Sequence, residues 1–320
     1  MEMAQTPTIR KFSSWKLRDR TLELGRRTLV CGVVNVTPDS FSDGGRFLDA
    51  EAAIEHALSL LDDGAHLLDL GAESTRPGSR VAAANGPILA TIGGARQVTT
   101  GEEQARLLPV VEGILKARPE AILSIDTYKA ATARTALAAG AQIINDVSGF
   151  NWDPLLAGVC AEWSCGVVLM HTRGLPEEWK AQSRLEPDEL LGLVRSGLTE
   201  SLGKAAAAGV PEEAIALDPG YGFGKRGDEN FSLLARQGEL LTLGRPLLAG
   251  VSRKSFLGRA LSPLHKGQAA PVAMRETASV AALVASILQG ASVVRVHHVR
   301  SAVEAALVAD AIVAASKSGR

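Results

Sequence analysis

The chain has 320 residues, of which 46% are hydrophobic and 22% charged, values typical of a globular protein with a sizeable core. Its formal net charge of −1 provides no basic field for nucleic acid or an anionic membrane, so neither is expected as a partner and any anion site must be local. The N-terminal stretch lacks the apolar core of a signal peptide and no apolar run is long enough to span a membrane, which predicts a cytoplasmic location.

The first predicted element is a β-hairpin within residues 9–27, where SWKLRDRTLEL contains a turn near Asp19. We interpret residues 1–27 as an N-terminal extension whose hairpin covers the bottom of the domain that follows. Residues 28–316 are interpreted as that single domain, because no linker-like stretch or shift of composition divides them.

Short apolar, β-rich segments then alternate with longer helical patterns. The predicted strands are 29–36, 66–72, 121–127, 142–149, 166–171, 214–220, 246–252 and 292–298. Helical patterns separate them, for example at 50–63, 187–208 and 271–289, and the last helix is predicted at 299–316. Near-continuous apolar strands that alternate with helices indicate a parallel sheet covered on both faces. Eight such units in one chain predict an α/β fold, a closed (β/α)8 TIM barrel.

Polar side chains follow the predicted strands at their carboxyl ends. In chain order they are Asn35, Glu73, Ser74, Thr75, Arg76, Asp126, Asn145, Asp146, His171, Asp218, Ser252, Arg253, Lys254, Arg295 and His297. Each of them alone has a structural explanation as a helix cap or a turn residue. Their repetition points to a functional site, because the carboxyl ends of barrel strands meet at the rim that carries the chemistry in barrel enzymes.

One group at this rim consists of hydrogen-bond acceptors on separate strands, Asp126, Asn145 and Asp218. A buried carboxylate is costly unless a donor reaches it, so the group predicts a donor-rich ligand. A flat heterocycle with an amino group and ring N–H groups would satisfy it, with Lys254 donating to a ring carbonyl. A salt bridge or a helix cap is the structural alternative for the two aspartates.

A second group predicts an anion site. Arg295 and His297 are two residues apart on one strand and therefore point to the same face. Ser252 and Lys254 repeat this spacing if the preceding strand extends that far. The last strands of TIM barrels commonly form a phosphate site, so this group is predicted to bind phosphate.

Residues earlier in the chain would complete the anion site. The side chains of 74–76 would close over the same anion, and Asn35 would hold a magnesium ion that bridges phosphate oxygens. The rim as a whole is therefore predicted to bind a flat, donor-rich ring attached to a phosphorylated group.

Eight segments of the chain together resemble dihydropteroate synthase, a family of folate-pathway enzymes. The segments are NVTPDSFSDGG (35–45), DLGAESTRPG (69–78), SIDT (124–127), INDVSG (144–149), LMH (169–171), LDPGYGFGK (217–225), GVSRKSFLG (250–258) and RVH (295–297). They stand in the order of the family, and the resemblance covers roughly residues 28–316. It implies a transferase that joins 6-hydroxymethyl-7,8-dihydropterin diphosphate to 4-aminobenzoate, forms 7,8-dihydropteroate and pyrophosphate, uses Mg²⁺ and is inhibited by sulfonamides.

The resemblance also implies a role for individual residues. The pterin would be held by Asp126, Asn145, Asp218 and Lys254, with Met170 and Arg295 against its faces. The diphosphate would be held by Asn35 through the metal, and by Thr75, Arg76, Arg295 and His297. The aminobenzoate would lie near Phe41, Arg76, Pro77, Phe223, Ser252 and Lys254. The expected catalytic residues are Asp126, Lys254 and Arg295.

The reaction implied by the resemblance suits these groups. Loss of pyrophosphate from the electron-rich dihydropterin leaves a resonance-stabilised cation at the exocyclic methylene. Magnesium, Arg295 and His297 would neutralise the charge of the leaving group, and Asp126 would stabilise the charge that develops on the ring. An aromatic amine then needs no strong activation, because it attacks a cation.

The chain departs from the family pattern after ESTRPG, where residues 79–95 are interpreted as a loop insertion. Gly86-Pro87 and Gly93-Gly94 favour a loop over a helix there. The insertion is either an enlarged lid over the site or a tolerated surface loop.

Two other functions remain open. One is a pterin-binding methyltransferase domain, which would have no use for a diphosphate site formed by SRK and RVH. The other is a catalytically silent paralogue, which would be expected to lack some of the site residues. The resemblance also implies a homodimer formed through late helices, and the alanine-rich stretch 271–289 is consistent with it.

Overall fold

The computed structural model describes residues 13–36, 46–73 and 98–317. Strands β1 (Ser13–Lys16) and β2 (Thr21–Leu24) form an antiparallel hairpin. Eight parallel strands then close into a barrel in which the last strand pairs with the first. They are β3 (Leu29–Asn35), β4 (Leu67–Gly71), β5 (Leu123–Asp126), β6 (Ile143–Asp146), β7 (Gly166–Met170), β8 (Ile215–Asp218), β9 (Leu247–Ala249) and β10 (Ala291–Val296). The predicted fold class is confirmed.

Helices follow the strands and cover the outside of the barrel. They are α1 (Arg46–Asp62), α2 (Thr100–Ala117), α3 (Ala130–Ala138), α4 (Leu156–Trp163), α5 (Pro187–Ala208), α6 (Glu229–Ala235), α7 (Ser255–Ala260), α8 (Glu276–Leu288) and α9 (Val299–Lys317). Local signals set several of their ends: Thr99 and Glu102 form a capping box at the start of α2, and Gly209 ends α5 with a φ of 84°. No helix within these described ranges is long and apolar enough to cross a membrane.

Alternate residues of the barrel strands face two different apolar layers, as the period of two of a strand requires. Leu68 and Leu70 of β4 pack between the barrel and its helices, whereas Leu67 faces the barrel interior. The hairpin contributes Trp15 and Leu17 to that interior cluster. The amino-terminal end of the barrel is therefore filled with apolar side chains, which leaves the opposite end for polar groups.

The hairpin is attached to this end of the barrel by directed contacts. Trp15 is fully buried, and its indole Nε1 donates to the carbonyl oxygen of Ala214 at 2.8 Å. The Arg18 guanidinium lies 4.6 Å from the centroid of the Trp163 ring and donates to the carbonyl oxygen of Leu137 at the end of α3. The hairpin thus lies against the bottom of the barrel, as the sequence predicted.

Strand β9 is shorter than predicted, since it ends at Ala249 and not at residue 252. The spacing argument that placed Ser252 and Lys254 on this strand is therefore wrong: both lie in the loop between β9 and α7. Within that loop Arg253 has a φ of 59°, which a continuous strand does not allow. The predicted helix 271–289 is likewise shorter, because a short 3-10 turn at 272–274 precedes α8.

Candidate active site

Strand ends bring several predicted substrate-binding residues to one rim of the barrel. The residues at or within two positions of a strand's carboxyl end are Asn35, Asp126, Asn145, Met170, Asp218, Arg295 and His297. The register places Asp126 opposite Asn145 and Met170 opposite Asp218. Since all the strands are parallel, these side chains belong to one end of the barrel.

Glycines keep the mouth of the barrel open between these side chains. A Cβ atom at Gly71 would lie 3.4 Å from Cβ of Asp126, and one at Gly250 would lie 3.7 Å from Oδ2 of Asp218. A larger side chain at either position would therefore project toward the space in front of a site carboxylate. The sequence places its smallest residue next to both acidic groups.

Asp69, which the sequence analysis did not assign to the site, is the carboxylate on which the rim is organised. Its side chain is 1% exposed and lies inside the barrel on β4. Its Oδ1 accepts a hydrogen bond from the Ser124 hydroxyl at 2.6 Å, and its Oδ2 accepts from Asn145 Nδ2 at 3.0 Å and from Arg295 Nε at 2.5 Å. A charged residue in the middle of the apolar strand HLLDLGA was the available signal, because a buried carboxylate needs donors.

Arg295 joins Asp69 to a second carboxylate, since its Nη2 donates to Asp126 Oδ2 at 2.9 Å. Burial raises the pKa of Asp126 to about 7; Arg295 opposes this effect, and the charges of Asp69 and Glu103 add to it. Burial lowers the pKa of Arg295, but the two aspartates outweigh it and hold that pKa above its ordinary value. Asp126 thus forms the salt bridge that was the structural alternative to ligand binding. Its partner, Arg295, is itself a predicted substrate-binding residue.

Asp218 is buried on the other side of the mouth. Its Oδ1 accepts from the backbone N–H of Gly220 at 2.7 Å, which fixes the orientation of the carboxylate. Burial raises the pKa of Asp218, while this hydrogen bond and the charge of Lys254 lower it. Asp126, Asn145 and Asp218 therefore lie at the carboxyl ends of three different strands, and their binding of a donor-rich ligand stays a prediction.

Lys254 and Phe223 meet at the same end of the barrel from different loops. The Lys254 ammonium lies 4.1 Å from the centroid of the Phe223 ring, within cation–π distance. Trp179 packs edge-on against the same ring, with centroids 5.2 Å apart. Phe223 packs against an apolar cluster at the mouth of the barrel that contains Met170.

The loop between β9 and α7 is held in place by α8. The hydroxyl of Ser279 accepts from the backbone N–H of Arg253 at 2.9 Å, and Arg275 Nη1 donates to the carbonyl oxygen of Arg253. Ser252 in this loop reaches the residue that follows β10, because its Oγ lies 3.0 Å from His297 Nδ1. Strand β10 ends at Val296, so His297 lies just beyond the strand on which it was predicted. The two predicted residues are therefore brought together by the loop, although β9 does not extend to Ser252.

A second buried ionic group lies beside the rim, and of its charged members the sequence analysis named only Glu73. Lys129 Nζ contacts Glu73 Oε2 at 2.7 Å, Glu103 Oε2 at 3.1 Å and the carbonyl oxygen of Val98 at 2.8 Å. Burial raises the pKa of Glu73, and Lys129 opposes it. Lys129 thereby joins the end of β4 to the start of α2.

The remaining predicted site residues lie outside the described part of the chain. They are Phe41, Thr75, Arg76, Pro77 and the insertion 79–95. In the described ranges, no group of three or more His, Cys, Asp or Glu side chains is arranged to hold a metal ion. The roles of these residues, and the magnesium site at Asn35, stay predictions.

Comparison with known proteins assigns the family. The family model of pterin-binding enzymes matches residues 31–86 and 88–297. The dihydropteroate synthase of Bacillus subtilis is 40% identical over 291 residues, which cover 91% of this chain and 90% of that protein. A Yersinia pestis dihydropteroate synthase solved with a sulfonamide drug is 37% identical, with a TM-score of 0.79, and covers 96% of this chain and 100% of that one.

The dihydropteroate synthase of Xanthomonas albilineans is similar in two complexes. Its structure with 4-aminobenzoic acid has a TM-score of 0.79 and 37% identity, and covers 94% of this chain and 98% of that one. Its complex with 7,8-dihydropteroate has a TM-score of 0.76 and 35% identity, and covers 93% and 98%. By the family model, these relatives and the barrel they share, the chain belongs to the pterin-binding enzymes and, among them, to the dihydropteroate synthases.

Proposed function

We propose that this transferase joins 6-hydroxymethyl-7,8-dihydropterin diphosphate to 4-aminobenzoate at the mouth of its barrel, forming 7,8-dihydropteroate and pyrophosphate for folate synthesis. The observation that carries the proposal is the set of acceptors Asp126, Asn145 and Asp218 on separate strands of one rim, with Arg295 between two carboxylates. This set matches the amino and ring N–H groups of a pterin. The relatives that match over about 90% of the chain are dihydropteroate synthases, which favours the synthase over the pterin-binding methyltransferase domain.

Pterin binding would use Asn145 and Asp218 in the orientations that they have in this structure. The hydrogen bond from Nδ2 to Asp69 orients the Asn145 side chain, so that its amide oxygen points away from Asp69. Asp218 is oriented by Gly220, and Lys254 would donate to the ring carbonyl. Met170, which lies in the apolar cluster at the mouth, would contact one face of the ring.

The chemical step breaks the bond between the exocyclic methylene carbon and the diphosphate oxygen, and the electron pair leaves with the diphosphate. Asp126 would stabilise the cation that remains, while Arg295 and His297 would bind the leaving anion. The lone pair of the aminobenzoate nitrogen then forms the new C–N bond, and that nitrogen loses one proton to the released pyrophosphate, which is a base. Exclusion of water favours this product, because water also attacks such a cation.

Magnesium is the proposed cofactor. Asn35 ends β3 at the rim and would contribute its amide oxygen, and substrate phosphates and water would supply the other ligands, a donor set that Mg²⁺ prefers. When bound, the metal would supply positive charge to the leaving diphosphate.

The second substrate would lie near Phe223 and Lys254, where an aromatic ring and a cation meet. Ser252, which contacts His297, would lie at the same side. Phe41, Arg76 and Pro77 complete this predicted subsite from outside the described residues. Because sulfonamides resemble 4-aminobenzoate, we expect them to compete with it here.

The test is product formation by the purified protein from both substrates and Mg²⁺, with released pyrophosphate measured in parallel. Dihydropteroate and pyrophosphate appearing in equal amounts, and only with Mg²⁺, is the expected result. The Arg295→Met variant serves as the matched inactive control. Binding of the pterin diphosphate without turnover would instead indicate a silent paralogue.

We also propose a homodimer. Exposed apolar side chains on α9, Leu307, Val308 and Ile312, would support association of late helices. Light scattering of the wild type and of Val308→Glu tests the proposed dimer. We expect a dimeric wild type and weaker association of the variant, and a monomeric wild type would contradict the proposal. The cytoplasmic location expected from the sequence stays a prediction that cell fractionation checks.

A further inference from the structure

Lys225, at the end of the motif LDPGYGFGK, is a buried cation that the proposed mechanism does not use. It is 5% exposed, and its Nζ donates to the carbonyl oxygen of His171 at 3.0 Å and to that of Phe223 at 3.2 Å. Burial lowers the pKa of Lys225 to about 7, against the effect of Asp218. An ammonium group in such surroundings is costly, so a structural or functional gain must offset it.

The two carbonyl groups belong to different loops, one after β7 and one after β8. These loops touch closely: a Cβ atom at Gly220 would lie 1.9 Å from the His171 oxygen, and one at Gly224 would lie 2.9 Å from the Arg173 oxygen. Both glycines have positive φ, at 72° and 73°. Lys225 therefore joins the two loops where their backbones already lie in contact.

Phe223 lies in the chain between Gly220 and Gly224, the two glycines at which the loops touch. Its ring lies under the Lys254 ammonium and against Trp179 of the loop after β7, while its own carbonyl oxygen accepts from Lys225. The ring can keep this place only while the loop after β8 stays against the loop after β7. Lys225 is the side chain that donates to both.

We propose that Lys225 is a positioning residue for the second substrate: by joining the loops after β7 and β8 it fixes the Phe223 ring that forms a wall of the aminobenzoate subsite. The inference rests on the proposed function. Lys225 does not touch the reacting atoms and acts through Phe223. Its loss therefore weakens use of 4-aminobenzoate more than use of the pterin diphosphate.

The experiment is a double-mutant cycle on the full-length enzyme with Lys225→Met, Phe223→Leu and both changes together. We expect Lys225→Met to raise the KM for 4-aminobenzoate about tenfold, because a small displacement of a binding wall is enough for such a loss. The KM for the pterin diphosphate should stay close to that of the wild type. In the Phe223→Leu background, Lys225→Met should add little, since the two changes remove the same interaction.

The control is Arg226→Gln. Arg226 is the adjacent cation of the same loop, and its side chain also reaches the loop after β7, where it donates to the Gln182 carbonyl oxygen. It therefore controls for a general weakening of the contact between the two loops: since its side chain does not donate to Phe223, both KM values should be unchanged in Arg226→Gln. Equal rises of both KM values in Lys225→Met, or full additivity in the double variant, would overturn the proposal. If Lys225→Met does not fold, Lys225→Gln takes its place in the same cycle, because the shorter amide carries no charge and cannot donate to both carbonyl oxygens from the position of Nζ.

A second readout does not depend on catalysis. Trp179 is 5% exposed and contacts Phe223 edge-on, so its fluorescence reports the position of that ring. The Trp179 contribution is the difference between each protein and its Trp179→Phe version. A changed contribution in Lys225→Met supports the proposal, and an unchanged one contradicts it. A wild type that forms no product would contradict the proposed function alone, while this spectrum would still decide the role of Lys225.

Discussion

Arg295 on the last barrel strand donates from Nε to Asp69 on the second, at 2.5 Å, across the interior of the barrel. The same carboxylate accepts from Asn145 and Ser124. Two residues predicted to touch the substrate are therefore oriented by a third that does not lie at a strand end. The position of the Arg295 guanidinium therefore depends on the buried carboxylate of Asp69, which does not itself have to contact the substrate.

Asp69→Asn should impair both stability and activity. The carboxamide keeps the volume but places an N–H donor against other donors, so we expect a loss of about 3 kcal/mol in the free energy of unfolding. We expect kcat/KM for the pterin diphosphate to fall about 100-fold, because Arg295 and Asn145 lose their common anchor. Urea unfolding and steady-state kinetics measure the two effects. Ser124→Ala is the control, and an equal effect of both variants would contradict the role assigned to Asp69.

Asp126 should set the acidic limit of activity. Its pKa is raised to about 7, so the carboxylate loses its charge as the pH falls through that value. Since the proposed role requires the charged form, kcat/KM for the pterin diphosphate should decrease about tenfold per pH unit below it. A pH profile of the wild type and of Asp126→Asn checks this. The Asp126→Asn variant should be slow, but its kcat/KM should not show this decrease at low pH. A decrease that persists in the variant would belong to another titrating group.

Asp126 should also cost stability at neutral pH. Its folded-state pKa lies above the ordinary value of 3.8, so the folded protein binds the proton more tightly than the unfolded chain. Stability therefore falls as the pH rises from about 4 through about 7. We expect the Tm of Asp126→Asn, relative to that of the wild type, to increase between pH 5 and pH 8. Calorimetry at both values measures it, and a constant difference would mean that the site carboxylate is not destabilised by burial.

Lys129→Met should destabilise the protein by about 3–5 kcal/mol, because it leaves Glu73 and Glu103 buried without their shared cation. Denaturant unfolding gives the value. Thr132→Val is a matched control within the same group, since it removes only the hydroxyl that donates to Glu103 and should cost about 1 kcal/mol. Similar losses in the two variants would show that the ammonium is not the main stabilising partner.

Trp15→Ala should lower stability without changing the chemistry. Removal of this fully buried ring should cost about 3–5 kcal/mol, while kcat/KM stays unchanged at temperatures where the variant is folded, because the hairpin lies at the opposite end of the barrel from the rim. Lys16→Ala, in an exposed pair with Glu213, should cost at most about 1 kcal/mol. A large activity loss in folded Trp15→Ala protein would contradict this separation.

The barrel and much of its rim were predictable from the sequence, because both depend on local patterns. Apolar strands that end in Asp126, Asn145 and Asp218 are visible as short segments. Asp69 was not predictable as the organising residue, since one of its partners, Arg295, is 226 positions away. A single carboxylate within an apolar strand implies that hydrogen-bond donors surround it in the fold, but it does not show which residues supply them.

The end of β9 could not be predicted for a different reason. The run PLLAGVS looks like a continuous strand, but in the fold the loop that follows β9 is bonded at Arg253 to Ser279 of α8 and to Arg275, the residue before that helix. Lys129 is similar, since its partners come from the end of β4 and the start of α2. Such contacts are properties of the tertiary fold and leave no periodic signal.

The attachment of the hairpin also bears on the order of assembly during synthesis. Trp15 donates to Ala214, 199 positions later in the chain. At the usual rate of translation, roughly 10–40 seconds separate the appearance of these two residues. Acrylamide quenching of Trp15 in ribosome-bound chains that end before and after residue 214 would follow the event, with protection expected only in the longer ones. The hairpin therefore cannot complete this contact until Ala214, which directly precedes the sixth of the eight barrel strands, has been synthesised.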